Sequence, residues 1–222
     1  SVIEGVMGYY DGFSGATNQS GTHHIATILE SPVILVLDAS KTARSIAATA
    51  LGFTKFHKNS RIVGLMLNKL GSKKHEEMCR QALGPLRIPI LGCIPKNSEL
   101  SLESRHLGLI PAVEQAHLKQ KITKIAKIIS THLDIEKIIS IANQAGAISY
   151  KTKQQAQKPK VTIAVALDKS FNFYYYDNFD SLRRNGAKIE FFSPISDVSV
   201  SECSGIYIGG GFPEVLGQPL AK

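Results

Sequence analysis

Three stretches of the chain are almost continuously apolar: Pro32 to Asp38, Arg61 to Asn68 and Ile88 to Ile94. Runs of this length, without polar alternation, are the mark of parallel strands covered on both faces. The segments between them carry helical spacing instead. Thr22 to Glu30 places Ile25, Ile28 and Leu29 on one face, Ala43 to Phe53 is a helix of small residues, and Lys73 to Leu83 is amphipathic up to Gly84-Pro85. This alternation predicts a parallel sheet flanked by helices, the α/β class. Ahead of it, Ser1 to Gly12 reads as the end of a buried strand entering a loop with glycines at 5, 8 and 12.

Further along, Leu118, Ile122, Ile125, Ile129 and Leu133 follow steps of three and four, which predicts a long helix over Val113 to His132 and a second over Ile135 to Ala145. The residues from 149 to 160 are polar and lack periodicity, which marks a linker. The pattern then restarts, with strands over Val161 to Leu167, Ala187 to Phe192 and Ile206 to Ile208, and a helix over Tyr175 to Asn185 stopped by Gly186. The last of these strands runs into Gly209-Gly210-Gly211. The expected organisation is a first domain over 1–148, a linker over 149–160 and the N-terminal part of a second α/β domain over 161–222.

Charge narrows the partners. With 26 Lys+Arg against 18 Asp+Glu the formal charge is +8, which favours an anionic partner. Nucleic acid is the obvious candidate, yet the basic residues are scattered and not interleaved with aromatics, and polyanionic small molecules fit as well. Cys79, Cys93 and Cys203 are far apart and odd in number, so the reducing cytoplasm is the expected compartment. No apolar run approaches the ~20 residues of a membrane helix. The chain lacks an initiator Met and opens on what reads as a core strand, so it is expected to be an internal piece of a longer protein.

Candidate chemistry gathers where strands end, because open α/β sheets hold ligands in the loops beyond the carboxyl ends of their strands. Glu4 and Asp11 sit on the opening glycine loop and can face one cleft. They suit Mg²⁺, which takes one or two carboxylates and completes its shell with water and phosphate oxygen. Solvated acids on an ordinary turn are the alternative. Asn68 ends a strand and offers a donor and an acceptor to a base edge, or simply terminates the strand. Arg105 and His106 are placed to meet phosphate or carboxylate, since guanidinium binds either in a fork, although such a pair also occurs on plain surfaces. Ser40 to Ser45 is a weaker candidate for the same cleft. His23 and His24, at a helix start, read as capping or surface residues.

Taken together, Glu4 to Gly12, Pro32 to Asp38, Gly64 to Asn68 with His75, Arg105 to Leu109 with Glu114, Ala166 to Tyr174, Phe192 to Pro194 and Gly209 to Glu214 resemble the cobyrinic acid a,c-diamide synthase family almost end to end. The resemblance implies a dethiobiotin-synthetase-like, P-loop-class domain joined to a class I glutamine amidotransferase domain. It implies ATP and Mg²⁺ as cofactors and a tetrapyrrole polycarboxylate and glutamine as substrates. ATP would activate the a- and c-acetate carboxylates as acyl phosphates, and glutamine would supply the ammonia. By the same resemblance Glu4 is the Mg²⁺ ligand, Asp11 orients or activates the substrate carboxylate, Asn68 contacts adenine, and Arg105 and His106 meet nucleotide or substrate. Gly210 and Gly211 would belong to an oxyanion hole. No nucleic acid or membrane is implied, and a homodimer is compatible.

Two parts of that machinery are not within these 222 residues. No Gly-x-x-x-x-Gly-Lys-Ser/Thr loop occurs, and no cysteine stands on a strand-to-helix elbow. Cys203 precedes a strand instead of following one, which argues for an incidental thiol. The chain alone is therefore expected to be inactive. Two other classes stay open: a nucleotide-switch ATPase of the partitioning type, and a binding module without catalysis. The segments Ala166 to Tyr174 and Gly209 to Glu214 argue against the first, and the missing phosphate loop argues for the second.

Overall fold

The computed structural model describes residues 1–101, 104–105, 108–109, 118–149 and 158–221. These form two compact units, one reaching from Ser1 to Ser149 and the other from Lys158 onwards.

The first unit is built on strands β1 (Val33–Asp38), β2 (Ile62–Leu70) and β3 (Ile90–Pro95), paired parallel in the order β1-β2-β3. Helices α2 (Ser45–Lys55) and α3 (Lys73–Leu83) follow β1 and β2 in the chain. Leu37, Leu65 and Leu67 point with Ile46, Ala50, Cys79 and Leu83 into one core. Burying a Leu or Ile side chain contributes about 1.5–3 kcal/mol, so this apolar layer sets the register that aligns the strand ends. Beyond β3, the turn between α4 (Leu118–Ser130) and α5 (Ile135–Ala142) runs along the sheet edge. There Cys93 donates its N–H to His132 O at 3.0 Å and Asp134 donates to Leu91 O at 2.8 Å. A two-strand ladder joins β4 (Ser104–Arg105) to β5 (Gly108–Leu109).

The second unit repeats the scheme. Strands β6 (Val161–Ala166), β8 (Ala187–Phe192) and β9 (Gly205–Tyr207) form a parallel sheet in the order β8-β6-β9. Between β6 and β8 lie β7 (Phe171–Phe173) and α6 (Tyr176–Arg184), and α6 buries Phe179. After β9, the two-residue strand β10 (Gly210–Gly211) pairs antiparallel with β7, and a short helix α7 (Gly217–Leu220) closes the described chain.

Four expectations are corrected. Ser1 to Gly5 is irregular backbone, not a strand end, and Val2 and Val6 are 99% and 93% exposed. An apolar run becomes a strand only when a neighbouring strand takes up its hydrogen bonds, and among the described residues no strand pairs with Ser1 to Gly5. The cover over β1 is incomplete too, since Val36 is 56% exposed. Helix α1 (Thr22–Ile28) forms where expected but turns the other way. It buries His23 and Ala26 and leaves Ile25 and Ile28 exposed. His23 is thus a buried residue and not a capping or surface one: its ring packs against Tyr9, Tyr10 and His57, and its backbone N–H donates to Tyr9 O at 2.8 Å. An aromatic cluster of this kind outweighs the modest apolar stripe of a seven-residue helix. His24, by contrast, acts locally, its Nδ1 accepting from Ser20 N–H at 3.1 Å.

Candidate functional site

The carboxyl ends of β1 and β2 hold the densest polar arrangement of the first unit. Asp38 and Asn68 are register partners across these strands. Asp38 accepts from Lys69 Nζ at 2.7 Å and from Ser40 N–H at 2.8 Å. The ammonium of Lys69, then the Ser40 donors, hold its carboxyl well below the usual carboxylate range. Asn68 Oδ1 accepts from Lys69 N–H at 2.8 Å. Lys69 and Lys41 both occupy left-handed backbone, with φ of 60° and 58°. Such a conformation is costly for a non-glycine residue and persists only where its surroundings enforce it.

His75 lies between the two strand-end loops. Its Nδ1 accepts from Gly71 N–H at 3.2 Å, and its Nε2 meets Thr42 O in a very short hydrogen bond. The residue stands in the first turn of α3, whose N-cap Ser72 accepts from His75 N–H at 3.1 Å. One turn further on, Cys79 Sγ reaches the same Thr42 carbonyl at 3.9 Å.

The opening loop forms the second feature. Asp11 donates its N–H to Gly8 O at 3.0 Å, and its carboxylate folds over Gly8 so closely that a Cβ there would collide with it. An open cleft of about 290 Å³ runs past Asp11 and is lined by Tyr10, Ser14, Thr17, Asn18 and Phe56. Tyr10 fixes one wall, donating its hydroxyl to Phe53 O at 2.6 Å. Phe56 is 74% exposed. Glu4 is a single exposed carboxylate. Among the described residues no three His, Cys, Asp or Glu side chains gather to cage a metal. Glu4 is not among the residues that line the cleft past Asp11, so the two carboxylates expected to face one cleft are not brought together there. For Arg105 only the backbone of its ladder with Gly108 is described, and His106 lies outside the described residues, as do 150–157 of the expected linker.

In the second unit the Gly209-Gly210-Gly211 turn is shaped by close approach. A Cβ at Gly209 would strike the Tyr174 ring, and one at Gly211 would strike the Ser170 carbonyl. Tyr174 donates its hydroxyl to Ala166 O and accepts from Gly209 N–H at 2.8 Å. Burial pushes this phenol up from its ordinary value. Gly209 N–H is thus already engaged, while Gly210 and Gly211 face Phe173 and Phe171 across the β10–β7 ladder. Cys203 is partly exposed just before β9.

Asp168 is the residue that sequence reasoning passed over. Its carboxylate accepts from Ser170 N–H at 2.7 Å, Phe171 N–H at 3.3 Å, Ser193 Oγ at 2.8 Å and Ile195 N–H at 3.1 Å, and from the Ser170 hydroxyl. Burial would raise its pKa, but these donors from Ser170, Ser193 and Ile195 win and hold it low. The fully buried Ser170 beside it and the Asp-x-Ser spacing after an apolar strand, an Asx-turn signature, were the available signal.

Residues 162–220 match the family model described as a CobB/CobQ-like glutamine amidotransferase domain, and residues 1–104 match an AAA domain. The chain is 43% identical over 226 residues to a cobyrinate a,c-diamide synthase of Synechococcus sp., covering 100% of this chain and 50% of that protein. It is 43% identical over 224 residues to that of Picrophilus torridus, and 39% identical over 223 residues to that of Listeria innocua, with 51% and 49% of those proteins covered. The chain therefore spans about half the length of the curated relatives it matches. No solved structure matches.

Proposed function

We propose that the protein carrying this chain, which is similar along its whole length to cobyrinate a,c-diamide synthases, makes amides from the a- and c-acetate carboxylates of cobyrinic acid or a related tetrapyrrole. Ammonia comes from glutamine, and ATP activates each carboxylate. The observation that carries this reading is the order of parts in one chain. A parallel sheet with Asp38, Asn68 and Lys69 at its strand ends and the Asp11 cleft in the same unit precedes an amidotransferase-type unit with a backbone-tight glycine turn.

A carboxylate does not release oxide, so it must first become a better electrophile. Phosphoryl transfer supplies the leaving group and depends mostly on positioning and charge stabilisation. On this reading Glu4 would hold Mg²⁺, which would supply positive charge against the nucleotide phosphates. Asp11, on the wall of its cleft, orients the substrate carboxylate. Asn68 donates from its NH₂ to an acceptor on the adenine edge, its carbonyl being held by Lys69 N–H. Arg105 and His106 meet phosphate or substrate carboxylate. Around Gly210 and Gly211 backbone N–H groups would stabilise the oxyanion formed on glutamine, with Tyr174 fixing the approach to that turn. The domain division at 149–160 separates the two chemistries.

Glu4 and Asp11 provide the test, in the complete protein. Glu4→Gln removes one of the metal site's charges and should weaken Mg·ATP binding and both amidations together. Asp11→Asn should leave nucleotide affinity within about twofold while lowering kcat by a factor of ~10² or more, the loss expected when a reacting group is misplaced. Calorimetric ATP titration alongside product analysis separates the two. Equal loss of ATP binding in both variants would refute this division of roles.

A further inference from the structure

His75 belongs to the motif that ends β2, yet none of the roles above uses it. Its imidazole lies between the loop that follows β1 and the loop that follows β2. One ring nitrogen is bonded to a backbone amide of the second, Gly71, and the other to a backbone carbonyl of the first, Thr42. Because Gly71 N–H can only donate, Nδ1 must be the acceptor. Because Thr42 C=O can only accept, Nε2 must carry the proton. The two partners thus select one neutral tautomer of a rigid ring.

A left-handed lysine stands close to each of these contacts, Lys41 in the first loop next to Thr42 and Lys69 near the carboxyl end of β2, two residues before Gly71. Backbone of that kind costs about 1 kcal/mol or more per residue, so each loop tends to relax unless something fixes it. Local bonds hold parts of them: Ala39 N–H donates to Asn68 O at 2.8 Å, and Lys96 N–H donates to Leu70 O at 2.8 Å. The bonds of His75 fix the spacing between the far ends of the two loops. His75 is itself fixed, because its own N–H caps onto Ser72 and the helix it starts is seated through the buried Cys79 and Leu83.

We propose that His75 is a positioning residue, which uses its Nε2–H tautomer to hold the β1 and β2 end loops at the separation needed by the nucleotide held between them. This rests on the nucleotide site proposed above. It touches no reacting atom, so its loss acts through Asn68, Lys69 and the Lys41 turn.

In the complete protein His75→Ala should raise KM for ATP about tenfold, the size of one lost hydrogen bond, with kcat changed less than about twofold. His75→Gln keeps a donor and an acceptor on one planar group and should recover most of that loss. Nitrogen-detected NMR of the wild-type protein should show Nδ1 unprotonated and Nε2 protonated, and Gly71 amide exchange should accelerate in His75→Ala. These two readouts need no turnover. A wild-type protein without ATP-dependent amidation would therefore sink the function proposed above and leave the staple to be judged by tautomer and exchange. An Nδ1–H tautomer, or unchanged KM and Gly71 exchange in His75→Ala, would overturn the role given to His75.

Discussion

At the scale of single residues, the second unit is most sensitive at Asp168. One carboxylate there satisfies donors from three places in the chain: the turn after β6, the start of β7 and the loop after β8. A group whose folded pKa lies below its unfolded value, near 3.9 for Asp, adds stability at every pH above that value and loses it as pH falls through the folded pKa. The melting temperature should therefore be level through neutral pH and drop below about pH 4, more steeply in the wild type than in Asp168→Asn. At pH 7 that variant should be less stable by about 1.5–3 kcal/mol, because Asn presents an NH₂ to groups that are themselves donors. Parallel acid profiles for the two proteins would mean that the carboxylate's charge is not what holds this turn. The residue shows how the sequence hides such a hub. Asp168, Ser170 and Ser193 look like ordinary turn formers, and only the parallel pairing of β6 with β8 brings residues 25 apart into one hydrogen-bond set.

At the scale of elements, the strands and helices with long apolar periods were legible to within two or three residues, except that residues 113–117 of the helix expected over Val113 to His132 lie outside the described residues. Helix α3 runs over Lys73–Leu83 and strand β8 over Ala187–Phe192, the spans their patterns predict. What failed has a common cause. The burial of His23 in place of Ile25, the irregular Ser1 to Gly5, and the short β7 and β10 all depend on partners distant in the chain, which local periodicity does not encode. Helix α3 was legible because its start is local: Ser72 caps His75 N–H, and Glu76 pairs with Arg80 at 2.8 Å. Ser72→Ala should cost about 1 kcal/mol in denaturant unfolding. The same change should speed Gly71 amide exchange, since the cap and the imidazole staple share one turn. If Ser72→Ala shifts neither quantity, the start of α3 is held by its packing alone.

For the molecule as a whole, the candidate site could be nominated as a set of motifs but not as geometry. Glu4, Asp11 and Asn68 could be nominated from strand ends and glycines, whereas the Asp38–Lys69 pair, the left-handed lysines and the bridging position of His75 appear only once β1 and β2 lie side by side. The division into two units has a practical consequence through sulfur. Cys79 and Cys93 are buried in the core of the first unit, and burial pushes the thiol of Cys79 up and that of Cys93 up to about 12. Cys203 is partly exposed in the second. Alkylation requires an accessible thiolate, so a pulse of iodoacetamide on the native protein should mark Cys203 first. Cys79 and Cys93 should follow together, at the rate with which their core opens. The three thiols thus form an internal clock that reports the unfolding of the first unit while the second supplies the reference. Separate rates for Cys79 and Cys93, resolved by peptide mass spectrometry, would mean that α3 detaches from the sheet before β3 does.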